Sequence, residues 1–121
     1  EVDSVPVAEI QQYATSASSA EVARRVASAR MIQLQRYADT RIHCNAQLDN
    51  AGIRKYCVMS SEAQHALNLA VERMHLSMRA YHRVIKVART IADLRESQNI
   101  EVIDIAEAVQ YRELDGKYWN R

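Results

Sequence analysis

The chain has 121 residues with a formal net charge of +1, and only 2 Gly and 1 Pro. Average usage would supply about 14 to 15 such residues, so the turns of a sandwich, a barrel or a many-hairpin fold are not available. Gly52 and Gly116 are far apart and cannot build a phosphate-cradling loop, which needs several glycines in one turn; what remains is an all-α bundle with no nucleotide-hydrolysing site of its own.

Residues 1–13 read as an extended lead-in, with Val2, Val5 and Val7 around Pro6, because proline disfavours helix at the residue before it. Glu1, Asp3 and Glu9 make this end acidic. A start at Glu1 rather than Met is what a processed chain, or a piece of a longer one, would show. Thr15, Ser16, Ser18 and Ser19 form a small polar joint, and Ser18 with Glu21 has the spacing of a capping box.

A long helix is expected over about residues 19 to 38. Its apolar stripe runs through Val22, Ala23, Val26, Ala27, Ala29, Met31, Leu34 and Ala38, with Arg24, Arg25, Gln35 and Arg36 off it. Residues 39–48 read as irregular, and a short helix fits about 48 to 56. Ser60 or Ser61 caps a helix to about His75, its core side being Ala63, Leu67, Ala70, Val71 and Met74. Ser77 then caps a helix over about 78 to 96. One seam on it is Ala80, Val84, Val87, Ile91, Leu94, and a second is Tyr81, Ile85, Ala88, Ala92. A last helix covers about 102 to 112, with Ile105, Ala106 and Val109 inward, followed by a tail that contains Gly116. The architecture is a small bundle of about five helices.

The helix over 78–96 has a second face. Arg79, Arg83, Lys86, Thr90 and Asp93 fall within about 80° of one another at 100° per residue. This reads as a cationic stripe opposite the core. Arg79 sits in the first turn, where the helix dipole disfavours a cation by roughly 0.3–1 kcal/mol. A guanidinium beside free first-turn N–H groups is also a potential anion site.

Other chemistry finds less support. Glu62 with His65, and Glu72 with His75, have the Glu-x-x-His spacing of di-iron bundles, but such sites need the two motifs on different helices. No metal site is expected. Cys44 and Cys57 are too few for a disulfide scaffold and read as reduced thiols at ordinary positions. His43 next to Cys44 does not establish a catalytic dyad. No apolar run is long enough to span a membrane and no leader segment is evident, so a cytoplasmic location is expected.

The stretch Leu76-Ser-Met-Arg-Ala-Tyr-His-Arg-Val-Ile-Lys-Val-Ala-Arg-Thr-Ile-Ala-Asp-Leu94 closely resembles the C-terminal domain of the magnesium-chelatase-like AAA+ ATPases of the ComM type. Ile100-Glu-Val and Ala106-Glu-Ala-Val-Gln-Tyr-Arg112 add to the resemblance, as do Cys44-Asn-Ala-Gln47 and Ile53-Arg-Lys-Tyr-Cys57. The resemblance implies that residues 1–17 are the end of an ATPase core and a linker, and that 18–121 form a helical lid. It implies that Arg79 is the sensor-2 arginine, reaching the phosphates of ATP bound with Mg2+ by the core. Arg83, one turn on, is a second candidate for phosphate or a neighbouring subunit. Partners would be the core domain and the other subunits of a ring, hexameric in this group. The parent's work would be DNA processing such as branch migration, or else porphyrin metallation. Two readings without an ATPase core stay open: a free-standing helical module docking an acidic partner, and a small DNA-binding domain.

Overall fold

A computed structural model of the chain describes residues 18–119, with side chains through Arg112. The lead-in at 1–13 and the expected core end and linker at 1–17 lie outside the described residues. Five α-helices follow one another: α1 (Ser19–Arg36), α2 (Asn50–Tyr56), α3 (Ser61–Met74), α4 (Met78–Leu94) and α5 (Val102–Trp119). A 3-10 turn at Asn45–Gln47 interrupts the long connection between α1 and α2. No strand occurs among the described residues, only a single bridge between Met59 and Ile100.

Capping residues open the first four helices. Ser18 accepts from the Glu21 N–H at 3.1 Å, Asp49 from Gly52 at 2.8 Å, Ser60 from Ala63 at 3.1 Å and Ser77 from Ala80 at 3.1 Å. Each side chain satisfies one donor that the first turn leaves without a helical partner. Only half of the expected capping box at Ser18 forms. The Glu21 carboxylate turns outward to Arg24 at 3.4 Å and Arg25 at 3.5 Å.

The scarcity of glycine is visible where helices stop. α3 ends on His75 at φ 53° and α4 is followed by Glu96 at φ 60°, both in the left-handed region that costs a non-glycine residue about 1–2 kcal/mol. Each is held by a six-to-one hydrogen bond, Leu76 N–H to the Val71 carbonyl at 3.2 Å and Ser97 N–H to the Ala92 carbonyl at 2.8 Å.

α4 is the central element, packed on α5, α1, α2 and the 3-10 turn, while α3 leans on α5. Its expected seams supply the core through Val84, Ile85, Ala88, Ile91 and Ala92, clustered with Leu67, Ile53, Leu48, Ile100 and Ile105. Ala80 is also buried, while Leu94, expected at the end of the first seam, is exposed because it lies at the helix end beyond the packed core. The bridge segment ties the loops ahead of α3 and α5, with Ile100 N–H donating to Val58 at 2.9 Å and Ser60 N–H to Ile100 at 3.1 Å.

Four further expectations are corrected. The apolar stripe of α1 does not face the core: Val22, Val26, Met31 and Leu34 are exposed, and Ala29 is the buried residue of that helix. Ala106 is exposed and Ala108 takes the inward position on α5. α5 runs on through Gly116 to Trp119 rather than ending near 112. Asp93 is buried, not part of an exposed stripe.

Candidate functional site, a cationic groove along α4

The last correction locates the site. Asp93 is fully buried and accepts from Arg36 through both guanidinium nitrogens, at 2.6 and 2.9 Å. It also accepts from the Asn45 side chain at 2.9 Å and lies 3.1 Å from Arg89. The hydrogen bond to Asp93 raises the Arg36 pKa further above its ordinary value, against the opposing effect of burial. Arg89 is itself buried and donates to the Ser97 and Gln98 carbonyls at 2.7 and 2.8 Å. This network fixes α1 and the 3-10 turn against the C-terminal half of α4. The N-terminal half of the same helix face is left open.

There an open groove of about 800 Å³ runs along α4. Arg79, His82, Arg83 and Lys86 line one wall, Ala46 comes from the 3-10 turn, and Glu107 and Tyr111 come from α5. Val87, Ile91 and Leu94 supply apolar surface, and Thr90 closes the series toward Asp93. The structure thus brings Arg79 and Arg83 to one groove, as the helical spacing predicts. Lys86 Nζ donates to the Ala46 carbonyl at 3.3 Å, and Thr90 accepts from Asn45 at 3.0 Å. Tyr111 donates to Glu107 at 3.1 Å. Burial, and its contact with Glu107, keep the Tyr111 phenol protonated beyond its usual range.

Among the described residues Arg79 has no ion-pair partner. It is exposed in the first turn of α4, where the dipole disfavours its charge and nearby N–H groups favour an anion. Glu107 is the one carboxylate among the described lining residues. The groove therefore suits an anion with apolar or aromatic character beside it, and a guanidinium fork suits phosphate or carboxylate in particular. Its described lining residues hold no arrangement of nucleophile and base. Among the described residues no three potential metal ligands cluster, and Glu62, His65, Glu72 and His75 all lie on or at the end of α3. Among the described residues no helix is long and apolar enough to cross a membrane.

Sequence reasoning did not find His82, Glu107 or Tyr111. His82 lies about 60° from Arg79 around α4, so a wider arc would have included it. Glu107 and Tyr111 carry no such signal, because the α4–α5 packing alone brings them to the groove.

The profile of the family described as "Magnesium chelatase, subunit ChlI C-terminal" matches residues 16–112. The chain belongs to this family. Among curated relatives of this magnesium chelatase C-terminal domain, competence protein ComM of Haemophilus influenzae is 39% identical over 95 residues, 78% of this chain and 18% of that protein. The uncharacterized protein YifB of Escherichia coli is 42% identical over 98 residues, 81% of this chain and 19% of its own length. YifB of Salmonella typhimurium is 36% identical over 116 residues, 95% of this chain and 22% of that protein. The chain thus spans about a fifth of the length of the curated relatives it matches. No solved structure matches it significantly.

Proposed function

We propose that this domain is the helical lid of a magnesium-chelatase-like AAA+ ATPase and that Arg79 contacts the phosphates of ATP bound, with Mg2+, by a core domain outside this chain. The observation that carries the reading is the position of Arg79: a cation without an ion-pair partner among the described residues, in a helix first turn, at the mouth of a cationic groove. A fixed charge in that unfavourable place gains most when an anion is delivered to it. Bidentate contact with the γ-phosphate would exist before hydrolysis and weaken after it, biasing the position of the lid. Arg83, on the same groove wall, is the second candidate, for phosphate or for a neighbouring subunit of a hexameric ring.

Membership of the ComM type favours DNA processing as the parent's work, with porphyrin metallation as the alternative. The lid itself carries neither activity. In the longer protein, Arg79→Ala is expected to lower ATP hydrolysis at least about tenfold, roughly 1.4 kcal/mol of barrier, with Arg79→Lys recovering part of it. Unchanged turnover in folded Arg79→Ala protein would overturn the assignment. The isolated chain is expected to bind ATP only weakly, and micromolar affinity by calorimetry would refute the division of labour.

A further inference from the structure

The α4 groove is larger than a phosphate at Arg79 requires. Lys86 lies about 10 Å farther along the helix. Arg83, Val87 and Tyr111, which line the groove, also line a smaller cavity of about 100 Å³ between α4 and α5. Val84, Ala108 and Arg112 complete that cavity. Val84 and Ala108 are buried, so its inner lining is aliphatic, while Arg83 and Arg112 bring one cation from each helix. The groove therefore continues into a side cavity that has no part in holding a phosphate at Arg79.

Charge and size together select the ligand. Arg79, Arg83, Lys86 and Arg112 are cationic, and Glu107, the one carboxylate among the described lining residues, already accepts from Tyr111 at 3.1 Å. Lys86 spends one of its three donors on the Ala46 carbonyl and has others to offer. The ligand is therefore anionic. A dry cavity of about 150 Å³ admits a benzene ring, so one of about 100 Å³ is too small for a purine base and suits a single branched aliphatic side chain. A nucleotide supplies the anion without the aliphatic group. A peptide with carboxylates on both sides of a leucine or valine supplies both, and its residues are spaced about 3.3 Å apart when extended, close enough to reach Arg83 and Lys86 from one anchor.

We propose that the groove and its side cavity take a short acidic segment of a partner protein, one aliphatic side chain entering beside Val84, Val87 and Ala108 while its flanking carboxylates meet Arg83 and Lys86. This rests on the reading of the groove as an anion site, and it gives Arg83 to a protein partner instead of phosphate. The test titrates the 121-residue chain, without nucleotide, with the peptide acetyl-Glu-Asp-Leu-Asp-Glu-amide and with its counterpart carrying alanine in place of leucine, following amide chemical shifts. The leucine peptide is expected to bind about tenfold more tightly, with shifts at Val84, Val87 and Ala108. Ala108→Leu, which fills the cavity, is expected to make the two peptides equal and to leave a salt-dependent remainder. If that variant does not fold, Val87→Phe fills the cavity from the other helix at a half-buried position. Binding of neither peptide, equal binding of both by the unaltered chain, or a leucine preference that survives in a folded filled variant would overturn the proposal. So would the same shifts on concentrating the chain alone, which would give the cavity to a second copy. Failure here leaves the Arg79→Ala hydrolysis result untouched, because no nucleotide is present, so the two readings can fail separately.

Discussion

Asp93→Ala removes the acceptor on which three elements converge. Four donors lose it: two guanidinium nitrogens of Arg36, the Asn45 amide and Arg89. The two arginines are not equally exposed to the loss. The Arg36 side chain is 15% accessible and keeps a 3.2 Å bond to Asn45, so water can take over part of its solvation. Arg89 is 1% accessible, keeps three backbone carbonyls and loses its counter-charge. Breaking a buried pair from one side costs about 3–5 kcal/mol, and the partial access of Arg36 places Asp93→Ala near 4 kcal/mol on that scale, roughly. This is a large share of the roughly 5–15 kcal/mol that holds a domain together. In urea, with a slope of about 1.5 kcal/mol/M, the midpoint should fall by about 2–3 M. Arg36→Ala should cost about 2 kcal/mol, and the double variant should cost less than the sum by roughly 1.5–3 kcal/mol. A loss below about 1 kcal/mol for Asp93→Ala, or strict additivity with Arg36→Ala, would show that this network does not hold α1 to α4.

Gly52 lies in α2, where an added Cβ would come within 2.8 Å of Leu48 Cδ2 and 3.2 Å of Asp49 Oδ1. Leu48 is buried, so Gly52→Ala should lose more by overpacking, about 1–3 kcal/mol, than the helix gains, about 1 kcal/mol; a raised Tm would refute this. Cys44 is exposed and Cys57 is buried, so a thiol reagent should label Cys44 in the folded chain and reach Cys57 only on unfolding. Burial pushes the Cys57 thiol from 9.0 up to about 11. Its folded pKa lies above its unfolded one, so its contribution is complete below pH 9 and is lost as pH rises toward 11. Tyr37, raised chiefly by burial, adds to the decline with the same sign. Cys57→Ala should therefore flatten part of that alkaline loss of stability in urea titrations, and an unchanged slope would count against it.

Periodicity was sufficient for α3 and for most of α4, because their apolar positions are the ones buried in the bundle: Leu67 and Ala70 on one, Val84, Ile85, Ala88 and Ala92 on the other. Three of the caps were legible for a local reason, since Ser18, Ser60 and Ser77 bond within their own first turns; the Asp49 cap emerged only in the structure. Arg79 and Arg83 were placed on one face by helical geometry alone. α1 was not legible. Its hydrophobic pattern is clear, but Arg36, Asn45 and Asp93 are distant in sequence, and their mutual satisfaction inside the fold turns the polar side inward.

The near-absence of glycine and proline, with the 3.6-residue period, determined an all-helical chain and where most of its helices begin. Those are local properties, set by backbone propensity and by donors within a few residues. Tertiary structure alone decided which charges are spent internally. Asp93, read as part of an open stripe, is consumed by Arg36 and Arg89, while Arg79, fourteen residues earlier on the same face, has no ion-pair partner among the described residues. The same long-range pairing leaves the apolar side of α1 facing outward. A buried charge must find its partner wherever the chain brings one, and one helix cannot announce what another will supply.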